Sequence, residues 1–401
     1  MSAIAAKTDN PFLEDFAAHA AELPGAGLPW LAARRAEAIK TVRAKGVPHR
    51  RIEEWKYTDL RSALEDESRG GVPQWRIEKL PDGVELFDLA KLDGGAPDWV
   101  KNSLGAIGDS NSMLAASLAL SHGGAALRIP AATAIREPLN LAVSGTGHMR
   151  LLLVLEEGAR LTLIEKQIDD TGLANVGFEI VLGTNAKLTH VRVAEAASDG
   201  VQVEEVAVRA ERGAQYKAHF ANFGAKLSRL ELQVKLEGEG ARANISGVSA
   251  LSGNRHADIT THVDHAIGNT QSTQLFKKIA GGHSRTIYQG KVTVWPGANG
   301  SDSRQTAKGL LLGERAEIDL KPELEILADD VKCAHGAAVG DLDEDSLFYL
   351  QSRGIPESEA RSLLIRAFLE EPIAEIDDEA IRASVWKMVE AALPAAMESA
   401  S

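Results

Sequence analysis

Gly158-Ala159-Arg160-Leu161-Thr162, Asn185-Ala186-Lys187-Leu188-Thr189, Gly213-Ala214-Gln215-Tyr216-Lys217 and Gly240-Ala241-Arg242-Ala243-Asn244 begin 27, 28 and 27 residues apart. Each is a turn residue, an alanine, a polar residue and then the start of a strand-like run. Stacked coils need almost equal circumference to lie in register, so near-constant spacing is what a solenoid produces. An antiparallel sandwich with even hairpins gives a similar spacing. Two features favour the coil stack: Leu151 to Leu155 is apolar on both faces, and small Ala and Ser residues recur at the turns, where coils lie close. The expected core is therefore a parallel β-helix.

Outward from the repeat, the same character runs from about Leu127 to about Gly340, with proline only at 130, 138, 296 and 322. Before it, Pro29 opens a helix with Leu31, Ile39 and Val42 apolar and Arg34, Arg35, Glu37 and Lys40 on the polar face, ended by Gly46 and Pro48. A second helix is expected from Asn111 to about Leu120, with Gly123-Gly124 as its stop. Residues 62–105 between them are rich in Gly and Pro and read as loop. After Gly340 the pattern is helical: Asp345 to Ser352, then a helix from Pro356 with Ala360, Leu363, Leu364, Ala367 and Phe368 as one stripe, closed by Pro372. A last helix from about Asp378 carries Ile381, Val385, Val389 and Leu393. Three domains are expected: 1–125 helical and irregular, 126–340 β-helix, and 341–401 helical. The flanking helices would cover the open edges of the stack.

The 401 residues hold 44 Lys plus Arg against 57 Asp plus Glu, a net charge of −13, which argues against a dedicated nucleic-acid binder. The longest aliphatic run is five residues, Leu151 to Leu155, against the roughly twenty a membrane helix needs. The first dozen residues include Asp9 and no apolar signal core. With Cys333 the only cysteine, no intrachain disulfide can form, and a cytoplasmic protein is expected.

No Gly-x-x-x-x-Gly-Lys-Ser/Thr loop is present, so no bound nucleotide or ATP hydrolysis of that type is expected, and no Gly-x-Ser-x-Gly elbow appears. Gly238-Glu239-Gly240-Ala241-Arg242-Ala243 resembles a dinucleotide loop but is followed by strand-like Asn244-Ile245-Ser246 rather than a helix. His262 and His265, three apart on a strand, point to opposite faces and read as structural. The carboxylates are scattered, with no defensible acid and base pair. Cys333 and His335, at i and i+2 of a strand, project from one face about 7 Å apart at their backbones, and Gly336 beside them leaves room for close backbone approach. They could ligate a metal or cluster, but two ligands are too few, so any such site must be shared. An inert core cysteine explains the same residues.

At these residues the sequence resembles the SufB/SufD family, scaffolds of the SUF iron-sulfur cluster assembly machinery. The likeness is carried by Lys308 to Gly313, Lys321 to Ile326, Asp329 to Gly340, the upstream Arg50 to Asp59, His122 through Leu139, and Phe348 to Ile355 with Leu363 to Phe368. Cys-Ala-His-Gly-Ala and the single cysteine favour the SufD branch over SufB. The resemblance implies a right-handed parallel β-helix flanked by helices, in a non-catalytic scaffold. It implies a complex with SufB and with the ATPase SufC, and a transient iron-sulfur cluster or iron shared at the SufB junction, with Cys333 and His335 as ligands. SufC would dock at the C-terminal helices, around Arg353, Gly354, Ile355, Leu364 and Phe368; the same helix could instead pack only on the β-helix. Arg51 to Asp59 reads as packing, with Trp55 and Tyr57 on one face if extended. The alternatives are a β-helix carbohydrate-active enzyme and a homodimeric iron-binding protein.

Overall fold

A computed structural model describes residues 10–398 except 66, 108–110, 169–170 and 196–198, with side chains described through residue 392. The core is a β-solenoid of about eight turns, with helices before and after it. Each turn contributes one strand to each of two sheets. Sheet A runs through Leu139–Ser144, Arg160–Gln167, Lys187–Ala194, Gln215–Asn222, Arg242–Leu251, Gln271–Ala280, Asp302–Leu311 and Lys332–Gly340. Sheet B runs through Ala125–Ile129, Gly147–Leu155, Gly172–Leu182, Gly200–Ala210, Leu227–Leu236, His256–His265, Arg285–Val294 and Glu317–Ile326. Neighbouring coils pair in parallel and without slippage, Tyr216 between Leu188 and Ala243 for example.

The quoted repeat marks one corner of the coil. Gly158, Asn185, Gly213 and Gly240 have φ of 69, 57, 67 and 75°, and the corner recurs at Asn269, Gly300 and Asp330. Left-handed backbone favours Gly, then Asn and Asp, which explains the residues chosen. Backbone bonds tie the corners together: Gly158 N–H donates to Thr184, Asn185 to Arg212, Gly213 to Glu239 and Gly240 to Asn269. At Gly213 a Cβ would collide with the Asn185 side-chain oxygen, so where one coil uses Asn the next needs Gly.

Inward side chains form the lumen core, including Leu151, Leu153, Phe178, Ile180, Leu188, Leu230, Leu232 and Ile259, all at most 1% exposed. Fully burying a side chain of this size contributes roughly 1.5–3 kcal/mol. The outward faces are apolar too, and these hold the helices. On sheet B, Leu152, Leu173, Val201 and Val203 cluster with the N-terminal helices. On sheet A, Val191, Val193, Ala221, Phe223, Val248 and Ala250 cluster with the C-terminal ones.

That placement corrects the expectation that the helices cover the ends of the stack: they lie on its faces, where the apolar outward columns are. The end nearest the N-terminus is capped by residues read as loop. Gln74–Ile77 pairs antiparallel with Leu139–Ser144, and Glu85–Asp88 with Ala125–Ile129. At the other end, Glu317–Ile326 and Lys332–Gly340 are the last strands of their sheets, and no described strand pairs with their outer edges.

The helices differ from the sequence reading in detail. In Pro29–Lys45, Arg35 is buried rather than solvent-facing, because its guanidinium donates to the carbonyls of Leu118 and Ser121. Ser112–Ala119 is buried on every side, wedged between that helix and sheet B. Arg51 to Asp59 is not extended but contains a 3₁₀ turn, Glu53–Trp55. Pro372 does not close its helix, which runs from Glu357 to Ala374; burial of Leu369 and Ile373 against sheet A holds the last turn despite the missing N–H. In Glu379–Glu398, Ile381, Val385 and Val389 are buried as expected, and the Leu393 side chain lies outside the described residues.

Candidate functional site

Lys332–Gly340 hydrogen-bonds along one edge to Asp302–Leu311, with Cys333 opposite Ser303, His335 opposite Gln305 and Gly336 opposite Thr306. Ser303, Gln305 and Ala307 point inward and are buried, so Cys333 and His335 point the same way, into the mouth of the lumen. Cys333 is half-buried and packs with Leu320, Leu324 and Val331 against the end of the core, whereas His335 is exposed. Partial burial pushes the Cys333 thiol up, offset in part by a backbone hydrogen bond from Ser303. It is therefore a thiol near neutral pH, and becomes a thiolate only when a metal or a cationic neighbour supplies positive charge.

Around this pair lie two free sheet edges, Lys332–Gly340 of nine residues and Glu317–Ile326 of ten. Unpaired edges of that length present rows of N–H and C=O groups ready to pair with another chain. A Cβ on Gly336 would meet nothing within 4 Å. Nothing in this chain requires glycine there. Among the described residues no three His, Cys, Asp or Glu side chains gather as a metal site, so Cys333 and His335 stand without further ligands of their own.

The other sequence candidates separate as expected. His265 is buried and bonded to Thr270 and Ser272, at 2.7 and 2.8 Å, while His262 lies on the opposite face beside Thr293. Gly238 to Ala243 forms a corner between two strands, with no helix to receive a pyrophosphate.

The C-terminal helices offer a second surface. The stripe read over Ala360 to Phe368 divides in the structure. Ala360, Ile365, Leu369 and Ile373 are buried, whereas Leu363 is 43% exposed and Leu364 and Phe368 are half-buried. Leu364 and Phe368 line a cavity of about 330 Å³ against Leu310, Val339 and Leu342. Arg353 and Gly354 are exposed and Ile355 is half-buried. Glu344–Ser352 buries none of its residues, with Phe348 72% and Tyr349 56% exposed and Arg353 stacked on Tyr349. A helix thus holds the solenoid with one face while keeping a second apolar surface free, which a single-stripe reading could not show.

The carboxylates that looked scattered are gathered by the coil register. Arg229, fully buried, donates to Asp258 and Glu231, and Arg150 pairs with Glu179 at 2.8 Å. Glu179 also accepts the backbone N–H groups of Gly105 and Ala106, and Thr58 donates to Asp258 at 2.5 Å. These are clamps between the N-terminal segment and sheet B. The 29-residue separation of Arg150 from Glu179 and of Arg229 from Asp258, one coil each, was the only signal that could have paired them.

Comparison with known proteins places this geometry in a family. The profile described as "SUF system FeS cluster assembly, SufBD core domain" matches residues 140–368, and the "SufBD protein N-terminal region" matches residues 6–70. An iron-sulfur cluster assembly SufBD family protein of Synechocystis is 30% identical, over 82% of this chain and 84% of its own length. The iron-sulfur cluster assembly protein SufD of Escherichia coli is 29% identical, over 87% and 90%. A SufBD family protein of Mycobacterium leprae is 29% identical, over 91% and 95%. With the core profile covering more than half of its length, and its β-solenoid ending in a Cys-x-His strand, the chain belongs to the SufBD family of iron-sulfur cluster assembly proteins.

Proposed function

We propose that the chain is a SufD-type scaffold subunit that works in a complex with SufB and the ATPase SufC, without catalysing a reaction itself. The observation that carries this reading is the coincidence of Cys333 and His335 with two uncovered sheet edges. A pair of ligands with no companions in its own chain, set where a second chain can pair, is half of a shared site. A β-solenoid partner such as SufB would extend the sheets past Lys332–Gly340 and supply the missing ligands. The open space at Gly336 lets the partner backbone come close.

In this reading the iron-sulfur cluster, or iron on its way to one, is cargo. Cys333 gives up its thiol proton on ligation and contributes a thiolate, and His335 contributes a neutral imidazole. The free apolar surface of Phe348, Tyr349, Leu363, Leu364 and Phe368, with Arg353 to Ile355 at its edge, receives the ATPase. Nucleotide-dependent movement of that partner would then bias how the two scaffolds meet, through contacts that differ between its states. No described helix is long and apolar enough to cross a membrane, and a single free cysteine suits the reducing cytoplasm.

The test is co-purification of the tagged chain with SufB and SufC, followed by anaerobic cluster reconstitution of wild type and of Cys333→Ala/His335→Ala. Retained association with reduced cluster yield is expected. Full yield from the double variant removes these residues from the role. Size-exclusion chromatography of the isolated chain distinguishes the homodimeric alternative, in which two copies pair by the same edges.

A further inference from the structure

Cys333 and His335 each top a column of inward-facing side chains, one per coil and about 4.8 Å apart. Toward the open end one column runs Ala243, Ser272, Ser303 and Cys333, and the other Ile245, Gln274, Gln305 and His335. Ala243 and Ile245 belong to the apolar core, whereas the two coils directly beneath the ligand pair are polar, although at most 2% exposed. Burying hydroxyls and amides where alanine and isoleucine fit one coil deeper costs stability. Their place under the thiol and the imidazole points to a role there.

This polar floor is braced from below and from the side. Ser303 hydrogen-bonds to Ser272 at 2.9 Å, and Ser272 to His265 at 2.8 Å. The Gln274 carbonyl oxygen accepts the hydroxyls of Thr261 at 2.6 Å and of Tyr288 at 3.1 Å. Gln305 is placed differently. Its amide nitrogen reaches across the lumen to Gly290 of Arg285–Val294, where a Cβ would collide with the Tyr288 hydroxyl and come within 3.0 Å of that nitrogen. Glycine at 290 is what lets the amide lie there. Among the described residues none hydrogen-bonds to either amide atom of Gln305.

The residues one coil down can thus serve the two ligands separately. Cys333 already receives the backbone N–H of Ser303 beneath it. An imidazole that binds a metal through one nitrogen carries N–H on the other, and an acceptor for that N–H fixes the ring. With its nitrogen turned to Gly290, Gln305 keeps its carbonyl oxygen for this task. We propose that Gln305 is a positioning residue for the shared site: its carbonyl oxygen accepts the remaining ring N–H of His335 when the other ring nitrogen holds iron. This rests on the reading of Cys333 and His335 as ligands. It extends the site one coil into the lumen and makes Gly290 the residue that keeps the amide in place.

Anaerobic titration of the complex co-purified with SufB and SufC with Co²⁺, read by thiolate-to-cobalt absorption, tests this. The metal bound by wild type and lost in Cys333→Ala/His335→Ala defines the site. Gln305→Met, close in size but without a carbonyl, should weaken that binding tenfold or more with the fold kept. Gln305→Glu, which keeps an acceptor oxygen in the same place, should bind nearly as wild type. Wild-type affinity in Gln305→Met overturns the inference while leaving the two ligands standing, and so does an equal loss in Gln305→Met and Gln305→Glu. A double variant that binds Co²⁺ as wild type does overturns the ligand reading and this inference with it. Should Gln305→Met fail to fold, diffraction from the cobalt-loaded wild-type complex decides. The Gln305 oxygen is expected within about 3.2 Å of a His335 ring nitrogen, and any other partner for that nitrogen overturns the proposal.

Discussion

Arg229 lies over the face of Trp55, its guanidinium carbon 4.0 Å from the ring centroid, and from there donates to Asp258 at 2.5 Å and to the Glu54 carbonyl at 2.9 Å. One residue on the solenoid thus holds the aromatic, the backbone and, through Asp258, the Thr58 hydroxyl of the N-terminal signature.

Removing that cation should therefore cost more than its own contacts. In Arg229→Met, Asp258 and Glu231 remain in the buried cluster without their guanidinium, a loss expected at about 3–5 kcal/mol. Urea unfolding should show it, and limited proteolysis should cut first in residues 48–60. An unchanged midpoint would mean that the cluster is not dry.

Cys333→Ala and His335→Ala should leave the isolated chain's stability nearly unchanged, within about 1 kcal/mol, because one side chain is half-buried at an end and the other exposed. A thermal melt checks this independently of cluster yield. A large loss of stability would favour the inert-core reading of the cysteine.

Gly336→Leu separates fold from assembly. No atom lies within 4 Å of its added Cβ, so the monomer should melt as wild type. Binding to a partner along the open edge should weaken at least tenfold, measured by titration with SufB. Unaltered affinity would move the contact elsewhere.

Phe348→Ser/Tyr349→Ser should not destabilise the chain, since their helix buries none of its residues. It should abolish or greatly reduce ATPase association in a pull-down while leaving SufB binding intact. Loss of both would point to misfolding instead.

Acid should destabilise the protein well before its carboxylates titrate. His148 and His219 are lowered to about 3 and His190 to about 4, each chiefly by burial. Their folded values lie below the ordinary 6.5, so the stability from keeping each neutral is complete above that value and is lost as pH falls from there toward 4. Each contributes on the order of 3 kcal/mol across that window. Glu204, raised to about 8, acts oppositely: its contribution is complete below 4.5 and lost as pH rises toward 8. Urea midpoints between pH 8 and 4.5 should show His219→Gln flattening the acid limb and Glu204→Gln the alkaline one.

The coil stack was legible because its cause is local. A corner in left-handed backbone needs Gly or Asn, and equal coils need equal spacing, so Gly158, Asn185, Gly213 and Gly240 announce the architecture in one dimension. Cys333 and His335 were legible for the same reason, since the strand period alone puts i and i+2 on one face. Arg35 was misplaced because helical periodicity counts charge without seeing the carbonyls of Leu118 and Ser121 that receive it. The stripe from Ala360 to Phe368 was read as single because a helix with two apolar faces gives a broad, blurred pattern.

Local conformation and strand period thus determined by themselves the kind of fold, the corner residues and the shared face of thiol and imidazole. Which end of the stack stays open, which faces the helices take, and which distant charges meet were decided only by the tertiary structure. Those outcomes depend on contacts between residues tens to hundreds of positions apart, such as Trp55 with Arg229 or Glu165 with His190. Such contacts form through burial and shape complementarity of whole surfaces, which no window of neighbouring residues encodes.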